Sequence, residues 1–211
     1  MTATAASCVV SFTPKILMTT VYSRINYMPE TKLPYKLVKN VLTPSQCATY
    51  REWIDKYATK DQFRPGYRLA AVPLDLFNTE EKPFLQPLRV VLKKVDKFFR
   101  SNYEIQHEFG MKRLYGNIMD TGAENPAHDD DGDHYEGKPE VELHYSCILM
   151  LNSDYEGGEL YFQHHGLEVK LEEGDLIMFR GNAENLHGVR PVKEGKRYNF
   201  IFFFRDYIPN D

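Results

Sequence analysis

Cysteine is scarce and carries no pattern: Cys8, Cys47 and Cys147 are three residues in 211, odd in number, far apart and without a CxxC spacing. That excludes a disulfide framework and a thiolate zinc site, and it fits a reducing compartment. Basic excess is missing as well. A net charge of -4 and a pI near 6.0 leave no basic stripe to track a phosphate backbone, so nucleic acid is not an expected partner. No apolar run approaches the roughly 20 residues that cross a bilayer, so no membrane is expected either, and the expected location is cytoplasmic. Internal repeats and low-complexity segments are absent.

What is present suits one folded domain, since 42% hydrophobic content over 211 residues can bury a real core. The opening MTATAASCVVSFTPKILMTTVYSR is acid-free and rich in Ser and Thr. It has a faint look of a transit peptide, but Pro14-Lys15 breaks its apolar stretch and no charged n-region precedes that stretch. Residues 1–30 therefore read as a flexible leader, and 31–211 as a single domain with helical support over about 43–103 and a β core over about 111–207.

In TPSQCATYREWIDKYA, Thr43 can cap a helix, Pro44 suits its first turn, and Gln46 completes a capping box. YKLVKNVL before it alternates like a strand. FLQPLRVVLKKVDKFF spaces Phe84, Leu85, Leu88, Val91, Leu92, Val95, Phe98 and Phe99 three and four apart, one apolar helical face to lay against a sheet. After residue 110 the texture changes to short β-rich runs broken by Gly, Asn and Asp: KRLYGNIM, VELHYSCILMLN, GELYFQHH, LEVKLEE, DLIMFRG and KRYNFIFFFRDY. Helices in front and evenly spaced strands behind point to a sandwich or jelly roll, with YNFIFFF as a fully buried strand.

The stretch NPAHDDDGDH concentrates the polar chemistry. A calcium loop of the EF-hand kind fails, because Gly132 as the sixth position puts Ala127 at the first. A solvated acidic turn accounts for DDDGD alone. His128 and Asp130, however, are two apart, so on a strand or its exit they point to one face. A second histidine would complete a two-histidine, one-carboxylate facial triad, which fills three positions of an iron(II) octahedron and leaves three open. His187, between DLIMFRG and the last strand, is the best placed to return to that loop. His144 reads as structural, His164 and His165 as a solvated turn, and His134 as a local hydrogen-bond partner or adventitious ligand. His107 carries no signal. Arg197 heads the apolar run YNFIFFF, where a buried cation demands an anion. That anion is either an internal Asp or Glu, or the carboxylate of a diffusible co-substrate in a bidentate fork.

Together these segments resemble the iron(II)- and 2-oxoglutarate-dependent dioxygenases, and most closely their prolyl 4-hydroxylase-like branch. The likeness covers about residues 111–207: His128-x-Asp130, CILMLN ending at Asn152, YEGGELYF, LEEGDLIMF, LHGVRPV with His187, and GKRYNF with Arg197. The resemblance implies a mainly β protein, a double-stranded β-helix (jelly-roll, cupin-like) core flanked by N-terminal α-helices. It implies His128, Asp130 and His187 as ligands of Fe(II), Arg197 on the distal carboxylate of 2-oxoglutarate, and Tyr115 beside that co-substrate. O2 is the second co-substrate it implies, ascorbate the iron reductant, and succinate and CO2 the products. Asp130 favours hydroxylation, since halogenating relatives have a small residue there.

Two departures stand out. The interval from Tyr115 to His128 is lengthened by a TGAEN-like insertion, so Asn117 is the alternative holder of the tyrosine's place. Met150 stands where some prolyl hydroxylases have a second tyrosine, and Ser146 on the same face is expected to contact the co-substrate instead. The substrate implied is a prolyl residue in a peptide or protein. A free amino acid or small metabolite is the alternative, and a non-catalytic metal-binding scaffold or sensor the alternative of another class. DGDHYEGKPEVE reads as a polar loop over the cleft whose acids suit a cationic substrate group or are simply solvated. Oligomeric state, regiochemistry and stereochemistry have no signature in this chain.

Overall fold

The computed structural model describes residues 33–62, 64–78, 82–103, 105, 108–130 and 145–207. The leader expected over residues 1–30, with Cys8, lies outside them, as do His107, His144 and the whole of the loop expected over the cleft, with Asp131, Asp133 and His134.

Strand β1 (Tyr35–Val38) leads into helix α1 (Pro44–Tyr57). The capping box forms: the Gln46 N–H donates to Thr43 Oγ1 at 3.3 Å, and the Thr43 N–H donates to Gln46 Oε1 at 2.9 Å. Strands β2 (Thr59–Lys60) and β3 (Tyr67–Ala71) follow, then helix α2 (Gln86–Asn102). Leu88, Val91, Val95 and Phe99 of α2 are buried, as the three- and four-residue spacing requires. The remaining strands are β4 (Glu108–Asp120), β5 (Asn125–His128), β6 (Tyr145–Met150), β7 (Glu156–Gly157), β8 (Leu160–Phe162), β9 (Leu167–Val169), β10 (Leu176–Arg180), β11 (His187–Val189), β12 (Val192–Glu194) and β13 (Lys196–Tyr207).

These strands form a seven-stranded sheet in the order β1-β10-β6-β13-β4-β3-β2, a four-stranded sheet β5-β11-β8-β9, and a small β12-β7 ribbon. The protein is mainly β, as expected, with a jelly-roll core and helices packed outside it. One apolar cluster joins the helices to the larger sheet through Tyr50, Ile54, Leu88, Val95, Tyr198, Phe200, Phe202 and Phe204. A second joins the larger sheet to the smaller through Met119, Ile148, Met150, Leu160, Phe162 and Phe179. The period of two sorts each central strand between them. On β13 the even-numbered residues 198–204 face the helices, whereas Arg197, Asn199, Ile201 and Phe203 line a cleft. YNFIFFF is therefore sealed on one face only.

Two local features differ from expectation. Between the helices the chain makes β2 and β3, and β3 extends the larger sheet beside β4. In LEVKLEE only Leu167–Val169 is strand. Gly116 explains how closely α1 approaches the sheet: a Cβ there would stand 2.5 Å from Ile54 Cγ1. No helix among the described residues is long and apolar enough to cross a membrane.

Candidate functional site

The cleft lies against the inner face of the larger sheet and has a volume of about 730 Å³. Cross-strand rows order its floor. Tyr67, Met119 and Arg197 form one row; Leu69, Asn117, Asn199 and Met150 the next; Ala71, Tyr115, Ile201 and Ile148 the third; Arg113, Phe203 and Ser146 the fourth. The smaller sheet supplies the opposite wall with His128, Leu160, His187 and Val189.

Antiparallel pairing of β11 with β5 sets His187 directly opposite His128, and their ring centroids are 4.6 Å apart. Asp130, just past β5, is held by its N–H donating to the Gly181 carbonyl at 2.7 Å. One carboxylate oxygen lies 3.5 Å from His128 Nε2, the other 3.5 Å from His187 Nε2. One ligand atom from each of the three residues falls within a 4.8 Å spread, and this His-Asp-His group is the arrangement expected of a facial triad.

The backbone sets the tautomers. Nδ1 of His128 is 2.9 Å from the Pro126 carbonyl, and Nδ1 of His187 is 3.0 Å from the Asn185 carbonyl. A carbonyl only accepts, so each Nδ1 carries a proton, and Nε2 is the atom that each ring turns toward the group and would offer to a metal. Asp130 accepts a hydrogen bond from the Ser146 hydroxyl. Burial alone would raise the Asp130 pKa, but the His128 hydrogen bond, the two imidazole charges and Ser146 hold it below the usual carboxylate range. Burial lowers the pKa of His187 and outweighs the pull of Asp130. An ionised carboxylate beside a neutral imidazole is the donor set a divalent metal needs.

At the other end of the cleft Arg197 is 1% exposed. Its Nε donates to the Gly158 carbonyl at 3.1 Å, and its Nη1 donates to Asn199 Oδ1 at 2.6 Å and touches Met119 Sδ at 3.7 Å. None of its partners among the described residues is a carboxylate. The internal ion pair, one of the two readings of this buried cation, does not form there. Tyr67, beside it, is pushed up to about 12 by burial, against the charges of Arg197 and Arg64.

All six expected site residues, His128, Asp130, His187, Arg197, Tyr115 and Ser146, line this cleft. Tyr115 packs edge-on to Phe203, with ring centroids 6.5 Å apart, and Asn117 lines the cleft two residues along the same face of β4. Ser146, expected against the co-substrate, directs its hydroxyl at Asp130. His164 and His165 are exposed in a turn closed by Gly166, as expected, and His165 also lies 3.0 Å from Asn185 Oδ1, while the Asn185 carbonyl holds His187.

Sequence reasoning missed Asn199, although its two-residue offset from Arg197 was the available signal. It also missed Asp61, Arg64 and Tyr67, which line the cleft because β3 joins the sheet. There the Arg64 guanidinium bonds Asp61 Oδ2 through Nε at 2.9 Å and Nη2 at 2.7 Å, and stacks 4.7 Å over the Tyr67 ring.

Gly188 sits next to His187 with β5 on one side and β8 on the other. A Cβ there would lie 2.5 Å from both the Asn125 carbonyl oxygen and Tyr161 Oη. Gly188→Ala is therefore expected to push β5, and His128 with it, away from β11. An isothermal titration with Mn(II) should show affinity about tenfold weaker, in the range that disturbed metal-site support usually costs. An unchanged affinity would mean that the sheet absorbs the methyl group without moving the histidine.

Residues 114–205 match the family model described as the 2OG-Fe(II) oxygenase superfamily. The PKHD-type hydroxylase PiuC of Pseudomonas aeruginosa is 35% identical over 100 residues, 46% of this chain and 42% of that protein. Prolyl 3-hydroxylase 1 of Gallus gallus is 38% identical over 65 residues, 28% of this chain and 9% of that protein. The matched segments thus span less than half the length of these relatives. Among solved structures, the viral collagen prolyl hydroxylase of Paramecium Bursaria Chlorella virus-1, in its 2OG complex, aligns with a TM-score of 0.66 at 18% identity, over 83% of this chain and 97% of that one. A Pseudomonas putida prolyl-4-hydroxylase aligns with a TM-score of 0.61 at 15% identity, over 82% and 92%. These two share the double-stranded β-helix fold. Over its β core, residues 114–205, the chain is thus similar to the 2OG-Fe(II) oxygenase superfamily.

Proposed function

We propose that the protein is an iron(II)- and 2-oxoglutarate-dependent hydroxylase acting on a prolyl residue of a peptide or protein. The observation that carries this reading is one cleft holding both a converging His-Asp-His donor set and a buried arginine without an acid partner among the described residues. The donor chemistry fits iron(II), with two imidazole Nε2 atoms and one ionised carboxylate from His128, His187 and Asp130. A cation as buried as Arg197 suits a diffusible anion, and its planar fork matches a carboxylate. Prolyl hydroxylation is supported by the prolyl hydroxylases among the relatives and structural neighbours.

When bound, the iron would supply the activation of O2, coupled to conversion of 2-oxoglutarate to succinate and CO2 and to insertion of one oxygen atom into a C–H bond. The chain's own part is to hold and to shield. Pro126 and Asn185 carbonyls fix the imidazoles, and Ser146 turns the Asp130 carboxylate. Ile148, Leu160, Phe179 and Val189 give the cleft apolar walls that exclude water from the reacting end. Tyr115 would stand beside the co-substrate. Ascorbate as reductant, a single domain over residues 31–211 and a cytoplasmic location belong to the same proposal, the last supported by Cys47 and Cys147, both buried and unpaired.

Two measurements test it. Anaerobic addition of iron(II) and 2-oxoglutarate should produce a weak visible charge-transfer band, and no band from folded, iron-bound protein would sink the oxygenase reading. Succinate release should rise with proline-rich peptides and not with free amino acids. Stimulation by free amino acids alone would move the substrate to the small-molecule class.

A further inference from the structure

Phe162 of β8 stands directly opposite His187 of β11. Just past Phe162 the chain turns through Gln163–His165, closed by Gly166 in the left-handed region at φ 61°. That turn reaches back to the segment that enters β11: the Gln163 N–H donates to the Leu186 carbonyl at 2.8 Å, and His165 Nε2 lies 3.0 Å from Asn185 Oδ1. Asn185 is the joint. Its backbone carbonyl is 3.0 Å from His187 Nδ1, and its side-chain Nδ2 donates to the Arg180 carbonyl, at the end of β10, at 3.0 Å. The Arg180 carbonyl only accepts, so the amide nitrogen is fixed on that side and the oxygen is turned to His165, whose Nε2 must then carry a proton. Asn185 is thus spanned between two anchors, one on β10 and one in the turn after β8.

We infer that His165 is a positioning residue for the metal centre: its Nε2–H holds the Asn185 amide, and Asn185, so held, presents the backbone carbonyl that orients the His187 ring. The inference rests on the metal-site reading above and deepens it. His187 is 5% exposed and Asn185 8%, whereas His165 stands in solvent, so a buried ligand is steered by a side chain on the surface. Removing the His165 donor leaves the Asn185 oxygen short of a partner where little water reaches it, which favours turning the amide away from its present place. The turn that carries Asn185 then loses one of its two side-chain anchors, and the His187 Nδ1 acceptor moves with it.

The test titrates the full chain with Co(II) alone and follows the visible d–d bands, which report both affinity and ligand geometry. His165→Ala is expected to weaken Co(II) by about 3- to 10-fold, below or at the low end of what loss of a direct outer partner costs, and to shift the bands. His165→Gln, whose amide again offers an N–H to Asn185, should return affinity to within about twofold and restore the parent spectrum. Asn185→Ala keeps the backbone carbonyl but loses both side-chain anchors, and should cost at least as much as His165→Ala. Adding His165→Ala to Asn185→Ala should then change nothing further, because the two act in series. The metal-free His165→Ala protein should unfold at nearly the parent's urea midpoint. Parent-like affinity and bands in His165→Ala, a loss in His165→Gln as large as in His165→Ala, or losses that add in the double variant would each overturn the inference. A parent chain that takes up no Co(II), or that takes it up equally well after Asp130→Ala, overturns the metal-site reading itself, a result distinct from these.

Discussion

Asp130→Ala protein is expected to fold and to bind iron(II) more weakly by a larger factor than the roughly 10- to 100-fold that loss of an outer partner of a metal ligand costs. The substitution removes the anionic donor of the three and leaves two imidazoles, whose Nε2 atoms each lie 3.5 Å from the carboxylate that is lost. The metal-free protein should lose some stability as well, because the Asp130 carboxylate, its side chain only 8% exposed, accepts from Ser146 and is held ionised by the adjoining imidazoles, and its removal leaves those groups without their partner. Anaerobic equilibrium dialysis with iron(II), alongside a thermal melt of the metal-free form, separates the two effects. Ser146→Ala makes the comparison, since it removes only the hydroxyl that turns the carboxylate and should stay within the outer-partner range. An Asp130→Ala protein that keeps its iron within a few-fold would put the metal on other ligands.

Phe200→Ala is expected to cost about 3–5 kcal/mol of folding stability, the usual toll for emptying an aromatic site in a packed core. Phe200 is fully buried, edge-on to Tyr50 at 5.2 Å and near Trp53 at 6.4 Å and Phe202 at 6.2 Å. It fills the space between α1 and Gly116, which has no side chain to refill a void. Against a total of about 5–15 kcal/mol for an ordinary domain, this loss is a large fraction. Urea unfolding should show the midpoint falling with an unchanged slope. Mn(II) affinity of the folded variant should not change, because Phe200 faces the helices while Arg197 and Asn199 on the same strand face the cleft. A loss under about 1 kcal/mol would mean that the helical layer closes on β13 without it.

The helices were legible because their signals are local. Thr43, Pro44 and Gln46 spell a cap within four residues, and the α2 stripe repeats within each turn. The metal-site candidates were legible in part: His128 and Asp130 share a face by spacing alone, whereas His187 entered on chain order, and its pairing with His128 is a long-range register that no local pattern encodes. Strand β3 was missed for a related reason. Its five residues YRLAA carry a weak alternation between two helices, and its place is decided by hydrogen bonds to β4, from Tyr67 opposite Met119 to Ala71 opposite Tyr115. Asn199 was passed over because an asparagine inside an apolar strand becomes informative only when its amide is seen wedged against Arg197. For the same reason the use of the Ser146 hydroxyl could not be read from its face: facing the cleft is a matter of period, while the choice of Asp130 as partner depends on where β5 ends.

His128 and His187 belong to the smaller sheet, Arg197 and Asn199 to the larger. In the proposed reading, the two ends of one small acid are thus held by separate layers, and the interval between them is the thickness of the sandwich. That thickness is set by Ile148, Met150, Leu160, Phe162 and Phe179, whose packing joins the sheets. Ligand length is then gauged by methyl groups in the core, so an Ile-to-Val exchange in this interlayer can recalibrate which acid fits while every charged and hydrogen-bonding group stays as it is.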